Sequence, residues 1–208
     1  MNAMIRNHIV AVAGGIGCGK SVVCRMLSCM GYFVYDCDAR ARKIMDESAE
    51  IKSVIANRIC SDAVSRDGKI LRERLAEVVF ANPAALAELN KCVHAAVRED
   101  VLRESAQHQL MFVETAILYQ SELDKTVDSV WEVVAPTWLR IERVKKRNNV
   151  SEEAVLARIK AQELPHDTEM HPRTFIINND DNEAVLPQLI QLINDELEIV
   201  GIHPRTKF

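Results

Sequence analysis

Residues 14–21 combine glycine, lysine and serine at a spacing that suits phosphate binding. They read G-G-I-G-C-G-K-S and satisfy the pattern G-x-x-x-x-G-K-S in full. Backbone N–H groups at a helix N-terminus form a cradle for anions, and glycines let the backbone approach phosphate oxygens closely. In such a loop the lysine, here Lys20, reaches the β- and γ-phosphates, and the hydroxyl of Ser21 is a ligand for Mg²⁺. The spacing predicts a site for a nucleotide with its magnesium ion.

The surroundings of the loop favour this interpretation over a glycine-rich turn with a chance Lys-Ser pair. The chain has only seven glycines, and four of them lie within residues 14–19. An apolar run, His8–Ala13, precedes the loop, and a helical pattern, Ser21–Met30, follows it. A phosphate loop needs this order of strand and helix. We expect ATP to contact Gly15, Ile16, Gly17, Cys18, Gly19, Lys20, Ser21 and Val22.

Two aspartates follow the second strand candidate, Tyr32–Tyr35. Asp36 and Asp38 are two positions apart, so both side chains point to one face if the backbone remains extended. The carboxyl ends of parallel strands border the ligand crevice of an open sheet, where the first strand also delivers the phosphate loop. One of the two carboxylates is a candidate base for a hydroxyl that attacks the γ-phosphate. The alternative is an Asx turn and an N-cap for a helix that begins near Ala39.

Glu114 closes another apolar run, Leu110–Val113. A carboxylate at the end of such a strand can hold Mg²⁺ through water, as the acid of a Walker B segment does. A strand-end charge that merely leaves the core is the alternative. We therefore include Glu114 beside Ser21 as a candidate metal-binding residue.

Three arginines, Arg140, Arg143 and Arg147, lie at positions i, i+3 and i+7 of the basic helical segment Trp138–Arg147. This spacing places them on one narrow face of the helix. They are candidates for a mobile lid that closes over the triphosphate and neutralises charge in the transition state. The alternatives are a solvated basic face and a nucleic-acid patch. A phosphotransferase needs arginines of this kind, which favours the lid.

Composition narrows the class of protein. A formal net charge of −4 and only 5% aromatic residues argue against a nucleic-acid partner. No apolar run approaches the ~20 residues of a membrane span. The six cysteines form no C-x-x-C pair and follow no signal-peptide pattern, so we expect reduced thiols in a cytoplasmic protein. Cys18, beside the start of a helix, is a candidate for an oxidisable thiol.

The periodicity of the chain predicts an α/β fold with a parallel sheet and covering helices. Later strand candidates are Leu110–Val113, Val130–Ala135 and Phe175–Asn178. Residues 39–109 are helical in pattern, so we interpret them as a lobe inserted into the core. We expect a single unit over residues 1–208, with its core in about 1–38, 110–136 and 174–200 and a helical lid in about 137–165.

Together these motifs resemble those of the dephospho-CoA kinase family over nearly the whole chain. The family's T-G-G-I-G-S-G-K-S is matched by residues 13–21, and its D-A-D-x-x-A-R by residues 36–42. Its D-G…R-x-x-L…F-x-x-P segment fits Asp67-Gly68, Arg72, Leu75, Phe80 and Pro83. Its H-P-x-V, R-x-x-x-R-D and I-x-N motifs are similar to residues 94–97, 143–148 and 177–179, and Gln162 matches the glutamine after the lid.

The resemblance implies a three-layer P-loop kinase fold and Mg²⁺-dependent transfer of the ATP γ-phosphate to the ribose 3′-hydroxyl of dephospho-CoA. It implies that Asp38 is the base with Asp36 in support, and that Lys20 and Arg143 complete the catalytic set. It also implies that the helical lobe binds the acceptor. The acceptor side would then comprise Asp38, Arg42, Arg72 and His94, and the ATP side would add Arg143, Arg147 and Asn179.

The sequence departs from the family pattern mainly on the acceptor side. Residues 116–120 read A-I-L-Y-Q in place of P-L-L-x-E, and Ala95 replaces the proline after His94. In the lid, Asn148 replaces aspartate. Another small P-loop kinase, acting on a nucleoside monophosphate or a sugar acid, and a non-catalytic nucleotide-binding regulator are the alternatives. We expect ATP and dephospho-CoA as partners, no nucleic-acid or membrane partner, and a monomer or weak homo-oligomer.

Overall fold

In a computed structural model, the chain is described over residues 7–165 and 167–201. The strands are β1 (His8–Ala13), β2 (Phe33–Asp36), β3 (Leu110–Glu114), β4 (Ser129–Val134) and β5 (Thr174–Asn178). The α-helices are α1 (Lys20–Cys29), α2 (Cys37–Glu47), α3 (Ala49–Val54), α4 (Arg72–Ala81), α5 (Pro83–Ser105), α6 (Thr137–Asn148), α7 (Glu152–Ala161) and α8 (Val185–Ile199). A π-helical turn lies at Ile55–Ile59, and 3₁₀ helices lie at Ser61–Ala63 and Leu123–Lys125. No helix in the described ranges combines the length and apolar character that crossing a bilayer requires.

The five strands form one sheet in the order β2-β3-β1-β4-β5. Strand β1 pairs in parallel with β3 and with β4, and β4 pairs in parallel with β5. All six residues of β1 are buried, as expected for a central strand whose two faces are covered by helices. The predicted α/β fold with a parallel sheet is confirmed.

An apolar core joins the sheet to α1 and α8. Phe112 of β3 and Trp131 of β4 are fully buried, and their ring centroids lie 5.0 Å apart. Leu27 of α1 and Leu189 of α8 pack into the same cluster and expose no surface. Full burial of a large apolar side chain stabilises the fold by about 1.5–3 kcal/mol. These contacts fix α1, and therefore the loop that precedes it, against the sheet.

A buried polar network lies at the end of the sheet where β1 and β4 begin. The Glu196 carboxylate, only 1% exposed, accepts hydrogen bonds from Ser129 Oγ at 2.5 Å and Trp131 Nε1 at 3.3 Å. It also pairs with His8 Nε2 at 2.8 Å and with Arg173 Nη2 at 3.3 Å. Burial by itself raises the pKa of Glu196, but the hydrogen bonds from His8 and Ser129 and the positive charge of Arg173 leave that pKa below its ordinary value. As a carboxylate, Glu196 therefore holds α8 to β1, to β4 and to the residue that precedes β5.

The described residues form two compact units. One consists of the chain up to Tyr35 and from Arg103 onward, and the other is Asp36–Leu102. The second unit is helical apart from an isolated antiparallel bridge between Val64 and Ile70. Inside it, Arg40 of α2 and the buried Asp100 of α5 form an ion pair at 2.7 Å. The first six residues of the core predicted over 1–38 lie outside the described residues.

The backbone does not remain extended through Asp38, so the condition for a shared face of Asp36 and Asp38 is not met. Strand β2 ends at Asp36, and α2 begins at Cys37. The Asp36 side chain accepts a hydrogen bond from the backbone N–H of Ala39 at 3.0 Å, so it is the N-cap of α2. Asp38 lies in the first turn of the helix. The two carboxylates therefore do not share the face of a strand, and the capping alternative is confirmed for Asp36.

Replacing Glu196 with glutamine tests the buried network. Glu196→Gln keeps the size of the side chain but removes the buried negative charge that pairs with Arg173, and breaking a buried ion pair in this way costs about 3 kcal/mol or more. Thermal denaturation should show a lower Tm, by about 2–4 °C for each kcal/mol lost. The control is Glu198→Gln, an exposed position on the same helix. Equal Tm values for the two variants would show that the network does not stabilise the fold.

Candidate active site

The phosphate loop joins β1 to α1, as the sequence pattern predicts. Gly14, Gly17 and Gly19 have φ values of 138°, 82° and 98°, a backbone region that residues other than glycine rarely adopt. Gly19 is the N-cap of α1 and has no capping side chain. The N–H groups of the first turn of α1 are therefore directed toward the loop, where an anion can accept from them.

Lys20 folds over the beginning of the loop. Its Nζ atom donates to the carbonyl oxygen of Gly14 at 2.7 Å and to that of Gly15 at 3.3 Å. Ser21 follows in the first turn of α1 with an exposed side chain. The ammonium group thus lies against the same stretch of backbone that the predicted phosphates would contact.

The end of β5 contacts the second half of the loop through Asn179. The Asn179 Nδ2 group donates to the carbonyl of Cys18 at 2.8 Å, and its own backbone N–H donates to Val134 at 2.9 Å. Arg143 of α6 donates to the Asn179 carbonyl at 3.0 Å and pairs with Asp181 at 2.8 Å. Two of the predicted ATP-binding residues, Arg143 and Asn179, are therefore brought to the loop.

Ile16, in the first half of the loop, is contacted on both sides of its peptide backbone. Arg140 Nε donates to the Ile16 carbonyl at 2.9 Å, and the Ile16 N–H donates to Gln162 Oε1 at 2.7 Å. The backbone of α6 also lies close, because a Cβ atom on Gly17 would be 2.6 Å from the Arg140 carbonyl oxygen. Helical spacing groups Arg140 with the other predicted lid arginines, but spacing does not reveal this particular contact.

A cavity of about 80 Å³ lies beside Gly14 and Gly15. Its polar wall includes Glu132, Gln120 and Gln162. Burial raises the pKa of Glu132, and the positive charges of Lys20 and Arg140 oppose that shift. Sequence analysis missed Glu132, although a single carboxylate inside the apolar strand β4, which reads S-V-W-E-V-V, was a visible signal.

The ends of β3 and β1 place the candidate metal-binding residues. Glu114, the last residue of β3, is paired in register with Val12 of β1 and is partly buried. Carboxylate and hydroxyl oxygens are ligands that suit Mg²⁺, which usually keeps several waters and phosphate oxygens around one or two protein groups. No cluster of three or more His, Cys, Asp or Glu side chains able to hold a metal occurs in residues 7–165 and 167–201. A hydroxyl such as that of Ser21 and a carboxylate such as that of Glu114 are the kinds of oxygen donor that fit a magnesium ion bound with a nucleotide.

The predicted acceptor-side residues all belong to the second unit. Arg72, at the start of α4, pairs with Asp46 of α2 at 2.7 Å and donates to the Arg42 carbonyl at 3.4 Å. These contacts bring Arg42 and Arg72 together. His94 lies half-buried on α5, where burial, with a smaller effect from Arg98, lowers its pKa. The imidazole is therefore neutral at neutral pH.

Three other predicted residues lie at the margin of this arrangement. Arg147 is exposed and donates to Asn148 Oδ1 at 2.8 Å, and the loop contacts of α6 come instead from Arg140 and Arg143. Cys18 is 4% exposed, so its thiol is shielded from oxidants. Val22, on the exposed side of α1, is 46% exposed.

Comparison with known proteins gives a consistent result. A family model described as dephospho-CoA kinase matches residues 8–184. The chain is 33% identical over 177 residues to the dephospho-CoA kinase of Bacillus anthracis, with 83% of this chain and 88% of the relative covered. Among solved structures, it is similar to dephospho-CoA kinase from Campylobacter jejuni, with a TM-score of 0.62, 25% identity, and coverage of 93% and 98%. TT1252 from Thermus thermophilus gives a TM-score of 0.74 at 28% identity and the same coverage.

Gly17 and Gly68 offer a matched test of the packing between α6 and the loop. Both have φ near +80°, but an added Cβ meets nothing within 4 Å at Gly68 and would meet backbone atoms of Arg140 at Gly17. Gly68→Ala should cost about 1 kcal/mol of unfolding free energy from backbone strain. Gly17→Ala should cost about 1–3 kcal/mol more, because the clash forces α6 away from the loop. Urea denaturation measures both, and similar losses in the two variants would contradict the described contact.

Proposed function

The chain belongs to the dephospho-CoA kinase family, and from this premise we propose that it transfers the γ-phosphate of ATP to the ribose 3′-hydroxyl of dephospho-CoA, giving CoA and ADP. The observation that carries the proposal is the phosphate loop between β1 and α1. Lys20 and Arg140 donate hydrogen bonds to carbonyl oxygens of its first three residues. This reaction is the last step of CoA biosynthesis. We place it in the cytoplasm and assign it to a monomer or weak homo-oligomer.

On the nucleotide side, residues 15–22 would contact ATP, with backbone N–H groups of the loop and of the first turn of α1 donating to its phosphates. Lys20 would exchange its contacts with the Gly14 and Gly15 carbonyls for phosphate oxygens, which accept stronger, charge-assisted hydrogen bonds. Arg143 of α6 and Asn179, which follows β5, support this role, and Arg147 would join them when the lid closes. The Arg143–Asn179 contact supports their joint assignment to ATP.

Ser21 and Glu114 are the residues we assign to Mg²⁺. When bound, the ion neutralises charge on the β- and γ-phosphates. Ser21 offers a hydroxyl in the first turn of α1, and Glu114 offers a carboxylate at the end of a strand next to β1. Both are oxygen donors, as Mg²⁺ requires.

On the acceptor side, we assign Asp38 as the general base. As the new bond from the 3′-oxygen to the γ-phosphorus forms, the bond from that phosphorus to the β–γ bridging oxygen breaks. The hydroxyl proton passes to the Asp38 carboxylate, and ADP leaves. Asp36 supports this geometry by capping the helix that carries Asp38. Arg42 and Arg72 would bind anionic groups of the acceptor, and His94, kept neutral by burial, would donate or accept a hydrogen bond.

A panel of acceptors tests the reaction. ADP release is measured with ATP, Mg²⁺ and, in turn, dephospho-CoA, AMP, CMP, gluconate and shikimate. We expect turnover with dephospho-CoA alone, because the family match covers residues 8–184 and includes the helical second unit. Turnover with another acceptor and none with dephospho-CoA would overturn the proposal.

Asp38→Asn tests the general base. The variant should lose about 10²-fold or more in kcat, because the base acts mainly in the transition state. Its affinity for ATP, measured by calorimetry, should not change. Asp195→Asn, at an exposed position of α8, is the control and should keep full activity. A wild-type rate in Asp38→Asn would remove Asp38 from the mechanism.

Lys20→Ala tests the phosphate loop. This variant should weaken ATP binding and turnover together.

A further inference from the structure

Arg140 occupies a different position from the other two arginines of α6. Arg143 is bonded to Asn179 and Asp181, and Arg147 is bonded to the neighbouring Asn148. Arg140 instead enters the first half of the phosphate loop, where its Nε atom donates to the Ile16 carbonyl. Within the described part of the chain its two terminal nitrogens make no hydrogen bond, so up to four N–H donors of this guanidinium remain available.

Those terminal nitrogens lie against Gly15. A Cβ atom added to Gly15 would collide with Nη2 of Arg140 and would lie 3.0 Å from Cζ. The same residue supplies one of the carbonyls to which Lys20 donates. Two cationic side chains therefore converge on Gly14, Gly15 and Ile16. A transferred phosphoryl group carries its charge on three equatorial oxygens, and positive groups fixed beside them lower the barrier.

Two further side chains fix the position of Arg140. Gln162 accepts from the Ile16 N–H, so the residue that carries the acceptor carbonyl of Arg140 is also held through its other backbone group. Glu132 lines the cavity beside Gly14 and Gly15, and its carboxylate interacts electrostatically with both Lys20 and Arg140. A half-buried carboxylate near two cations reduces their mutual repulsion, so both can remain beside the loop before a nucleotide arrives.

We propose that Arg140 is a further catalytic residue, whose guanidinium donates to the equatorial oxygens of the phosphoryl group during its transfer. Gln162 and Glu132 are positioning residues for it. This role rests on the proposed kinase function, but it is specific to the γ-phosphate. It therefore predicts a discrimination between nucleoside triphosphate and diphosphate that can be measured without any acceptor.

The test compares Arg140→Ala and Arg140→Lys with Lys146→Ala, which removes an exposed cation from the same helix. Arg140→Ala should lower kcat by about 10²-fold or more, as loss of a phosphate-contacting arginine does in related chemistry. Arg140→Lys should recover only part of the rate, because an ammonium group cannot make the paired contacts of a guanidinium. Lys146→Ala should keep kcat within about twofold, as is usual for a surface substitution.

Calorimetry with β,γ-imido-ATP and with ADP separates a catalytic role from a structural one. Arg140→Ala should bind the imido-ATP about tenfold more weakly, the equivalent of about 1.4 kcal/mol, and bind ADP with little change. If Arg140 only supports the loop, both ligands should weaken equally, and that result would overturn the proposal. A kcat within about threefold of wild type would overturn it as well. If wild-type protein fails to phosphorylate dephospho-CoA, the proposed function fails, yet the binding comparison still decides the role of Arg140.

Gly15→Ala provides a second test that keeps the arginine. The added methyl group meets the far end of a flexible side chain, so the guanidinium should move while the backbone stays in place. Gly15→Ala should therefore reproduce the selective loss of imido-ATP affinity. The double variant, Gly15→Ala with Arg140→Ala, should bind imido-ATP no more weakly than Arg140→Ala alone, because both changes remove the same contact. Additive losses would show that Gly15 acts separately from Arg140 and would contradict the described placement.

Discussion

The close approach of backbone to phosphate is the constraint on which the rest of the first unit depends. Successive N–H groups can surround an anion only if the backbone turns sharply, and positions 14, 17 and 19 do so with positive φ values that favour glycine. Glycines cannot hold such a loop in place by their own packing. Other elements therefore supply the contacts: β5 through Asn179, α6 through Arg140, and the segment after α7 through Gln162. The sheet order, with β4 and β5 on one side of β1, brings these elements to the loop.

Charge is distributed differently at the two ends of the sheet. At the edge where β1 and β4 begin, Glu196 is surrounded by donors from His8, Ser129, Trp131 and Arg173, so its charge is fully compensated. At the loop, Lys20 and Arg140 donate to neutral backbone carbonyls, and the Glu132 carboxylate interacts electrostatically with both. The first arrangement suits stability. The second leaves positive charge available to a ligand, as a preorganised anion site requires.

The sequence was informative wherever a structural feature depends on neighbouring residues. Strand β1 and the start of α1 follow from an apolar run and a glycine pattern, and both are confirmed. The alternation argument for Asp36 and Asp38 failed because it holds only while a strand continues, and the Asp36 side chain itself initiates a helix. The contacts of Ile16 with Arg140 and Gln162 join residues 124 and 146 positions apart. No local pattern specifies a partner at that distance, so these contacts became visible only once the sheet order was known.

The three arginines of α6 show why helical spacing identifies a face but not a role. Positions i, i+3 and i+7 do share one side of the helix, yet each guanidinium meets a different neighbour along the axis. Near the helix start, Arg140 donates to Ile16; one turn later, Arg143 donates to Asn179; at the end, Arg147 donates to Asn148. Arg140 and Arg143 therefore act on different halves of the loop, Arg140 directly through Ile16 and Arg143 through Asn179, which donates to Cys18. The first two turns of α6 bring positive charge to the loop, whereas the exposed Arg147 lies at the end of the helix.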